Sequence, residues 1–260
     1  MRQGCNTTSR KNLVPQSRQT VRNRLHDAGF RARRPDVRVP LIGRHRQERR
    51  QWCQDHVDWT PADWALVPFM DESRFCMDFH DGRNRVWRRP NERYCDCDAT
   101  VAEHDWYGGG SVMVWACISL RGRTDLYVIE NGSLTGVRYR DEILHDTVRP
   151  YAGATGPDFI LMDDNARPHR AKVVEQYLQA ETIDSMDWPA RSPDINPIEH
   201  AWELLQAAVS ARPVQPASLQ ELGTALMEAA VPQRWLTSLI ESTRRRCQAV
   251  IRTRGGHTWY

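Results

Sequence analysis

The sequence predicts an α/β domain built on a mixed β-sheet with helices on both faces, led by a short basic helical arm. Three observations carry that prediction. Apolar strand-like runs dominate the first part of the body, and strands alternate with helical patterns in the second. The 260 residues are 40% hydrophobic, enough for one large core plus a small appendage. The charge is lopsided: residues 1–50 carry 14 Arg and Lys against 3 Asp and Glu, and the rest carries 22 against 30. A basic arm on an acidic body suits a polyanion at one end and cations at the other.

The elements follow in order. SRQTVRNRLHDAG (17–29) reads as a helix. Ser17 is its N-cap, Val21, Leu25 and Ala28 recur on one face, and Gly29 stops it. Its other face carries Arg18, Gln19, Arg22 and Asn23, side-chain types that read base edges and phosphates in a major groove. FRARRPDVRVP (30–40), with two prolines and with Arg31, Arg33 and Arg34 among its four arginines, reads as an extended linker. Residues 43–57 read as a helix with Trp52 and Val57 on one side and Arg44, Arg46, Arg49 and Arg50 on the other. WTPADWA then opens the body, with Thr60 capping a proline-led turn.

ALVPFMD (65–71) reads as a strand ending in an acid, and 75–89 as a hairpin turning at Asp81-Gly82. A glycine-led buried strand over 108–119 and a strand and turn over 124–134 come next. A helix over 135–151 is expected to stop near Pro150. DFILMDD (158–164) is a second buried strand ending in acids. A helix over 167–180, a short strand over 182–188 and a helix over 196–211 follow, the last begun by Asn196 and Pro197. Helical stretches over 217–230 and 232–251 close the chain.

Composition excludes several classes. No apolar run approaches the roughly 18 residues of a membrane span, and MRQGCNTTSRKNL has no apolar core for a secretory signal. Seven scattered cysteines suit a reduced intracellular protein better than a disulfide framework. Cys95 and Cys97 stand too close for a zinc knuckle and read as ordinary thiols. His169 and His200 have no HExxH-like partner, which argues against a zinc hydrolase.

Three acids then stand out: Asp71 in FMDESRF, Asp164 in LMDDNARPH and Glu199 in SPDINPIEHAW. They are separated by 92 and 34 residues. Taken singly, each has a structural explanation. An Asp after a strand closes a turn, and Asn196 with Glu199 has the spacing of a capping box. Taken together, three carboxylates can hold two Mg²⁺ ions, hard cations that complete their shells with water and phosphate oxygens. Two such ions about 3.5–4 Å apart can cut and rejoin a phosphodiester backbone.

FMDESRF, GGGSVMVWACIS, LMDDNARPH, MDWPARSPDINPIEHAW and the closing SLIESTRRRCQAVIRTRGGHTWY resemble the mariner superfamily (Tc branch) of cut-and-paste DNA transposases. The resemblance runs from about Ser17 to Tyr260. It implies a ribonuclease H-like catalytic domain over 59–260, preceded by a basic arm over 1–58 with a partial helix-turn-helix and linker. Asp71, Asp164 and Glu199 match the family's acidic triad, with Asp163 a neighbour and not a ligand. The implied chemistry is hydrolysis at transposon ends and attack of the freed 3′-hydroxyl on target DNA. The implied cofactor is Mg²⁺, two ions, with Mn²⁺ as a substitute. The implied partners are double-stranded DNA (inverted repeats and target) and a second copy of the chain, with no membrane and, in a eukaryote, a nuclear location.

The stretch from Glu72 to about Asp105 resembles the family's excursion toward partner subunit and DNA. Arg83, Arg85, Arg88, Arg89 and Arg93 there suit phosphate contact. Two departures from the family pattern matter. The front of the chain is expected to lack the first helix-turn-helix unit, so that the copy reads as N-terminally truncated. Ala116 also stands where the family's strand motif usually has glycine. The competing readings are a catalytically silent DNA-binding relic or host-recruited protein, and a nuclease acting on RNA·DNA hybrids.

Overall fold

Strands β2 (Phe69–Cys76) and β4 (Ser111–Ile118) pair antiparallel over their full lengths, from Phe69 opposite Ile118 to Cys76 opposite Ser111. The rest of the body is arranged around that ladder in the computed structural model, which describes residues 17–33, 39–77, 86–88, 110–130, 132–229 and 231–260. Strand β5 (Tyr127–Ile129) joins the outer side of β4, again antiparallel. On the inner side of β2, Phe69 makes a parallel bridge to Met162, just beyond β6 (Ile160–Leu161), which pairs parallel with β7 (Asp184–Ser185). Three antiparallel strands followed across that bridge by a parallel pair make the mixed arrangement that the element order predicted.

Alternation along the central strands sorts side chains onto two cores. Val112, Val114, Ala116 and Ile118 of β4, with Phe69 and Phe75 of β2, face one core. There they meet Trp52 of α2 (Gly43–His56), Trp64 of α3 (Pro61–Trp64), and Ile198 and Trp202 of α7 (Pro197–Ser210). Leu222 and Leu226 of α8 (Leu219–Glu228), Leu236 and Ile240 of α9 (Gln233–Glu241), and Cys247 and Val250 of α10 (Thr243–Arg252) complete that side. Met70, Trp115 and Cys117 face the other core. It is closed by a continuous helical stretch made of α4 (Gly136–Arg138), a π-helical segment (Tyr139–Val148) and α5 (Arg149–Thr155), and by α6 (Lys172–Ala180). Among the described residues no helix is long and apolar enough to cross a membrane.

Several local expectations need correction. Asp71 does not end its strand: β2 continues to Cys76 because β4 supplies a partner for every residue. That pairing also takes β2 out of the expected 75–89 hairpin, whose turn at Asp81-Gly82 lies outside the described residues. Pro150 does not stop the helix: Val148 and Arg149 keep helical dihedrals, and the chain passes from the π-helical segment through Pro150 into α5. The expected helix over 232–251 is two, broken at Ser242. Arg49 is not on the solvent face of α2 but completely buried.

Contacts divide the chain into two units, residues 1–38 with 80–105 and residues 39–79 with 106–260. Helix α2, grouped with the basic arm in the sequence-based division, therefore packs in the second unit, along α10. Trp52 on α2 stacks on His56 (ring centroids 4.0 Å apart) and meets Trp188 edge-on at 4.7 Å. At the far end of the α2–α10 contact, Gly255 has φ +82°, and a Cβ there would run into the Arg46 carbonyl. Gly255→Ala is expected to lower stability by about 2 kcal/mol or more, read from urea denaturation, because it combines positive φ with a backbone clash.

In the first unit, α1 (Arg18–Asp27) is capped by Ser17, whose hydroxyl accepts from the Thr20 amide, and is followed by Gly29 at φ +84°. No residue of α1 is buried among the described residues, and Val21 on its apolar face is 46% exposed. The 30–40 segment is extended where described: β1 (Arg31–Arg33) pairs antiparallel with β3 (Val86–Arg88).

Candidate active site

Asp71 shares the face of β2 that carries Phe69 and Phe75, so its carboxyl points toward α7, which packs on that strand. Directly opposite in register is Ala116, a side chain small enough to leave the carboxyl room. The Ala116 methyl is itself buried, so a Leu there would crowd Asp71. Ala116→Leu is expected to cost about 1–3 kcal/mol in thermal unfolding.

Asp164 follows the Met162 bridge, at the start of a tight turn that ends at Arg170. Its Oδ1 accepts from the Ala166 amide at 2.7 Å and from His169 Nδ1 at 2.9 Å. The His169 ring is buried against Tyr139 (centroids 4.2 Å apart), and its Nε2 reaches Glu72 Oε1 at 3.2 Å. A ring with both nitrogens facing carboxylate oxygens is an imidazolium donating twice. Burial alone would lower its pKa, but the two carboxylates outweigh that and push it to about 10. Burial likewise works to raise the Asp164 carboxyl; His169 and the Ala166 amide overcome it and hold that carboxyl below its usual range.

The neighbouring Asp163 is engaged elsewhere. It is fully buried, takes Arg170 Nη2 at 2.8 Å and lies 3.4 Å from the Tyr139 hydroxyl. Arg170 also donates to Asn165 Oδ1 (3.0 Å) and the Asp164 carbonyl (3.1 Å), and Asn165 Nδ2 donates to the Trp188 carbonyl at 2.7 Å. These contacts make the 163–170 turn a rigid mount for Asp164.

Glu199 stands at the third position of α7. The Asn196 side chain caps that helix by accepting from the Ile198 amide at 3.3 Å. The Asn196 amide is taken by the Pro193 carbonyl at 3.0 Å, so Glu199 is not spent on the capping box that its spacing suggested. Its carboxyl is left to interact with that of Asp71, on the strand face that α7 covers. Burial, then the Glu199, Glu72 and Asp164 charges, raise the Asp71 carboxyl well above its usual range. Burial first, and the Asp164 charge, raise Glu199 to about 7 against the lowering effect of the Asp71 contact. One proton shared between two crowded acids is the form such a pair takes.

The structure thus draws Asp71, Asp164 and Glu199 into one electrostatic field from three separate elements. Their oxygens do not yet converge: no group of three His, Cys, Asp or Glu side chains among the described residues stands in metal-holding geometry. The chemistry of the donor set nevertheless fits a hard divalent cation, since it is all carboxylate oxygen and self-repelling.

Comparison with known proteins bears on this geometry. The family described as DDE superfamily endonuclease matches residues 67–220, and one described as transposase, of the Tc3 helix-turn-helix type, matches residues 6–58. The transposable element Tcb2 transposase of Caenorhabditis briggsae is 36% identical over 96% of this chain and 90% of that protein. The chain belongs to the Tc1/mariner superfamily of transposases. The Tc1 transposase of Caenorhabditis elegans is 34% identical over 94% of the chain and 88% of its own length. The Mos1 mariner paired-end complex with Mn superposes with a TM-score of 0.67 at 18% identity, over 93% of this chain and 72% of that one. The Mos1 mariner catalytic domain gives 0.62 at 15%, over 86% and 100%. That likeness shows the ribonuclease H-like fold.

As in any Tc1/mariner member, contacts to DNA have to come from basic and polar surfaces. Arg18, Gln19, Arg22 and Asn23 are all exposed on α1, with Gln19 Nε2 bonded to Asn23 Oδ1 at 2.7 Å. Arg31 is exposed but bonded to the His26 and Phe30 carbonyls at 3.1 Å. Arg33 and Arg88 lie in β1 and β3, with Arg88 opposite Arg31 in register; their side chains are outside the described residues. Arg34, Arg83, Arg85, Arg89 and Arg93 also lie outside them, as do residues 6–16, Cys95 and Cys97.

The sequence reading missed His169, Glu72 and Arg170, which organise Asp164. His169 was weighed only as a zinc ligand and set aside for want of a second histidine. The signal available was its place five residues after Asp164, within one turn's reach of that carboxylate.

Proposed function

We propose that Asp71, Asp164 and Glu199 are the catalytic and metal-holding residues of a cut-and-paste transposase that cleaves transposon ends and joins them to target DNA. The observation that carries this is the convergence of three elements on one place: Asp71 sits on the face of β2 that α7 covers, Glu199 lies in the first turn of α7, and Asp164 is tied through His169 to Glu72, the neighbour of Asp71. Acids placed that way destabilise the protein unless a cation is part of their function. Two Mg²⁺ ions, with Mn²⁺ as substitute, would supply activation of the attacking water or 3′-hydroxyl and stabilisation of the leaving oxygen.

The residues divide the remaining work. Asp71 offers its carboxyl from a strand paired on one side along its whole length, so its position is rigid. Asp164 is oriented through Oδ1 by His169 and the Ala166 amide. His169 also pairs with Glu72, which strand alternation turns to the opposite face of β2 from Asp71. Glu199 closes the set from the first turn of α7. The exposed face of α1 meets DNA through Arg18, Gln19, Arg22 and Asn23, and Arg31, Arg33, Arg34, Arg83, Arg85, Arg88 and Arg89 add phosphate contacts. The working assembly is a homodimer on the paired ends, in the nucleus of a eukaryotic host.

The test is nicking of supercoiled plasmid DNA by the purified protein with Mn²⁺ or Mg²⁺ against an EDTA control. Metal-dependent nicks are expected. Salt-sensitive DNA binding with no cleavage under any metal would establish the silent relic instead. Metal should also stabilise the fold: at Mn²⁺ about 100 times its Kd, roughly 2.7 kcal/mol, read as a rise in Tm.

A further inference from the structure

Away from the acidic cluster, one buried polar group has every donor satisfied. Arg49 has no exposed surface, and all five of its N–H groups are used. Nη1 donates to Asp194 Oδ1 at 2.6 Å and to the Arg191 carbonyl at 3.0 Å. Nη2 donates to Asp194 Oδ2 at 2.7 Å and the Gly256 carbonyl at 3.1 Å, and Nε donates to the Gly255 carbonyl at 3.1 Å. Asp194 Oδ2 takes two more bonds, from the Thr258 amide (3.1 Å) and hydroxyl (2.9 Å). Its backbone carbonyl takes Arg246 Nη1 at 3.0 Å. One clasp therefore fastens α2, the 191–196 loop, α10 and the 255–258 tail together.

The clasp ends at the acidic site. Asp194 lies two residues before the cap Asn196 and five before Glu199. The chain between them has little freedom. The Ile195 amide donates to the Ser192 carbonyl at 3.2 Å and the Asn196 amide to the Pro193 carbonyl at 3.0 Å. Ile195 and Ile198 are completely buried, and Pro197 has a fixed φ. Displacing Asp194 therefore displaces the start of α7. We infer that Arg49 is a positioning residue for strand cutting: through Asp194 it sets where α7 begins and so where the Glu199 carboxyl stands. The inference rests on Glu199 being a member of the reacting set.

The form of the clasp argues for positioning over bulk stability. A buried ion pair is a poor stabiliser compared with apolar side chains of the same volume. What a saturated guanidinium fork adds is direction, since five bonds fix Asp194 in place and orientation. Displacement of a reacting group by about 1 Å costs on the order of 10²-fold in rate. Helix α2 also falls within the residues 6–58 matched by the helix-turn-helix family, so the segment that leads from the DNA-reading end of the chain carries the residue that sets Glu199.

The experiment uses the full chain and three variants: Arg49→Lys, Thr258→Val and, as a control in the same core but on α8, Leu226→Ala. Plasmid-nicking kcat and KM are measured with Mn²⁺, Mn²⁺ affinity is measured by calorimetry without DNA, and Tm is recorded for each. Arg49→Lys is expected to lose roughly 10- to 100-fold in kcat with KM within about twofold, and about tenfold in Mn²⁺ affinity. Thr258→Val, which removes one bond and leaves the ion pair, is expected to show a smaller loss of the same kind. Leu226→Ala is expected to lower Tm while keeping kcat and Mn²⁺ affinity. Unchanged kcat and Mn²⁺ affinity in Arg49→Lys overturn the inference, as does an equal loss in Leu226→Ala. If Arg49→Lys fails to fold, an unchanged kcat in Thr258→Val overturns it. A wild-type protein that neither nicks nor binds Mn²⁺ overturns the functional reading itself, a separate result.

Discussion

Glu199→Gln is expected to remove metal-dependent nicking by on the order of 10³-fold or more while leaving the protein as stable as before, or slightly more so. Carboxylate-held metals supply several kcal/mol of transition-state stabilisation, and each 1.36 kcal/mol is tenfold in rate. The stability half of the prediction follows from the electrostatics. Burial pushes both Asp71 and Glu199 up, the Glu199 charge adds to the rise at Asp71, and the Asp164 charge adds to the rise at Glu199, so a neutral amide at 199 relieves repulsion. The α7 cap survives the change, because Asn196 and Pro193 carry it without the Glu199 side chain. Asp71→Asn and Asp164→Asn are expected to lose nicking to the same degree. Asp164→Asn, which strips His169 of a carboxylate partner, is expected to lower Tm where the other two do not. Activity is read by plasmid nicking with Mn²⁺ and stability by thermal unfolding in EDTA. Loss of fold in Glu199→Gln would return that residue to a structural role.

Arg49→Ala is expected to destabilise the protein by roughly 3–5 kcal/mol, the largest stability effect predicted for a single side chain here. Removing the fork leaves the Asp194 carboxylate nearly buried (10% exposed) with only Thr258 to serve it. It also leaves the Arg191, Gly255 and Gly256 carbonyls without their donor. Asp194→Ala is expected to cost a similar amount by stranding the guanidinium. The double variant is expected to cost clearly less than the two single losses together, because the second truncation removes the charge left unpaired by the first. Urea denaturation of the four proteins in one buffer measures the coupling; simple additivity would mean that the pair does not act as a unit.

Local pattern made much of this molecule legible. The unbroken apolar run of β4 announced a buried strand, and the Asn196-Pro197 start fixed α7 to within a residue. Ser17 and Gly29 bounded α1 for the same reason: caps and stops are local chemistry. What escaped depended on partners far away in sequence. Arg49 read as one more basic residue on a basic helix, because the acid that buries it lies 145 residues on. Asp71 read as a strand end, because nothing within its own run shows that β4 extends the pairing to Cys76. His169 read as a lone histidine, because one of its two carboxylates, Glu72, is 97 residues upstream. The triad was legible through resemblance; the groups that hold it in place were not.

The central claim is that residues 71, 164 and 199 present one divalent-metal site. Iron-mediated cleavage tests it most directly: Fe²⁺ with ascorbate and peroxide cuts polypeptide beside the bound ion, and mass spectrometry locates the cuts. Cuts grouped around residues 71, 164 and 199, suppressed together by excess Mg²⁺ and absent in Glu199→Gln, are the predicted result. Cuts confined to one of those segments, or placed elsewhere and indifferent to Mg²⁺, would contradict it.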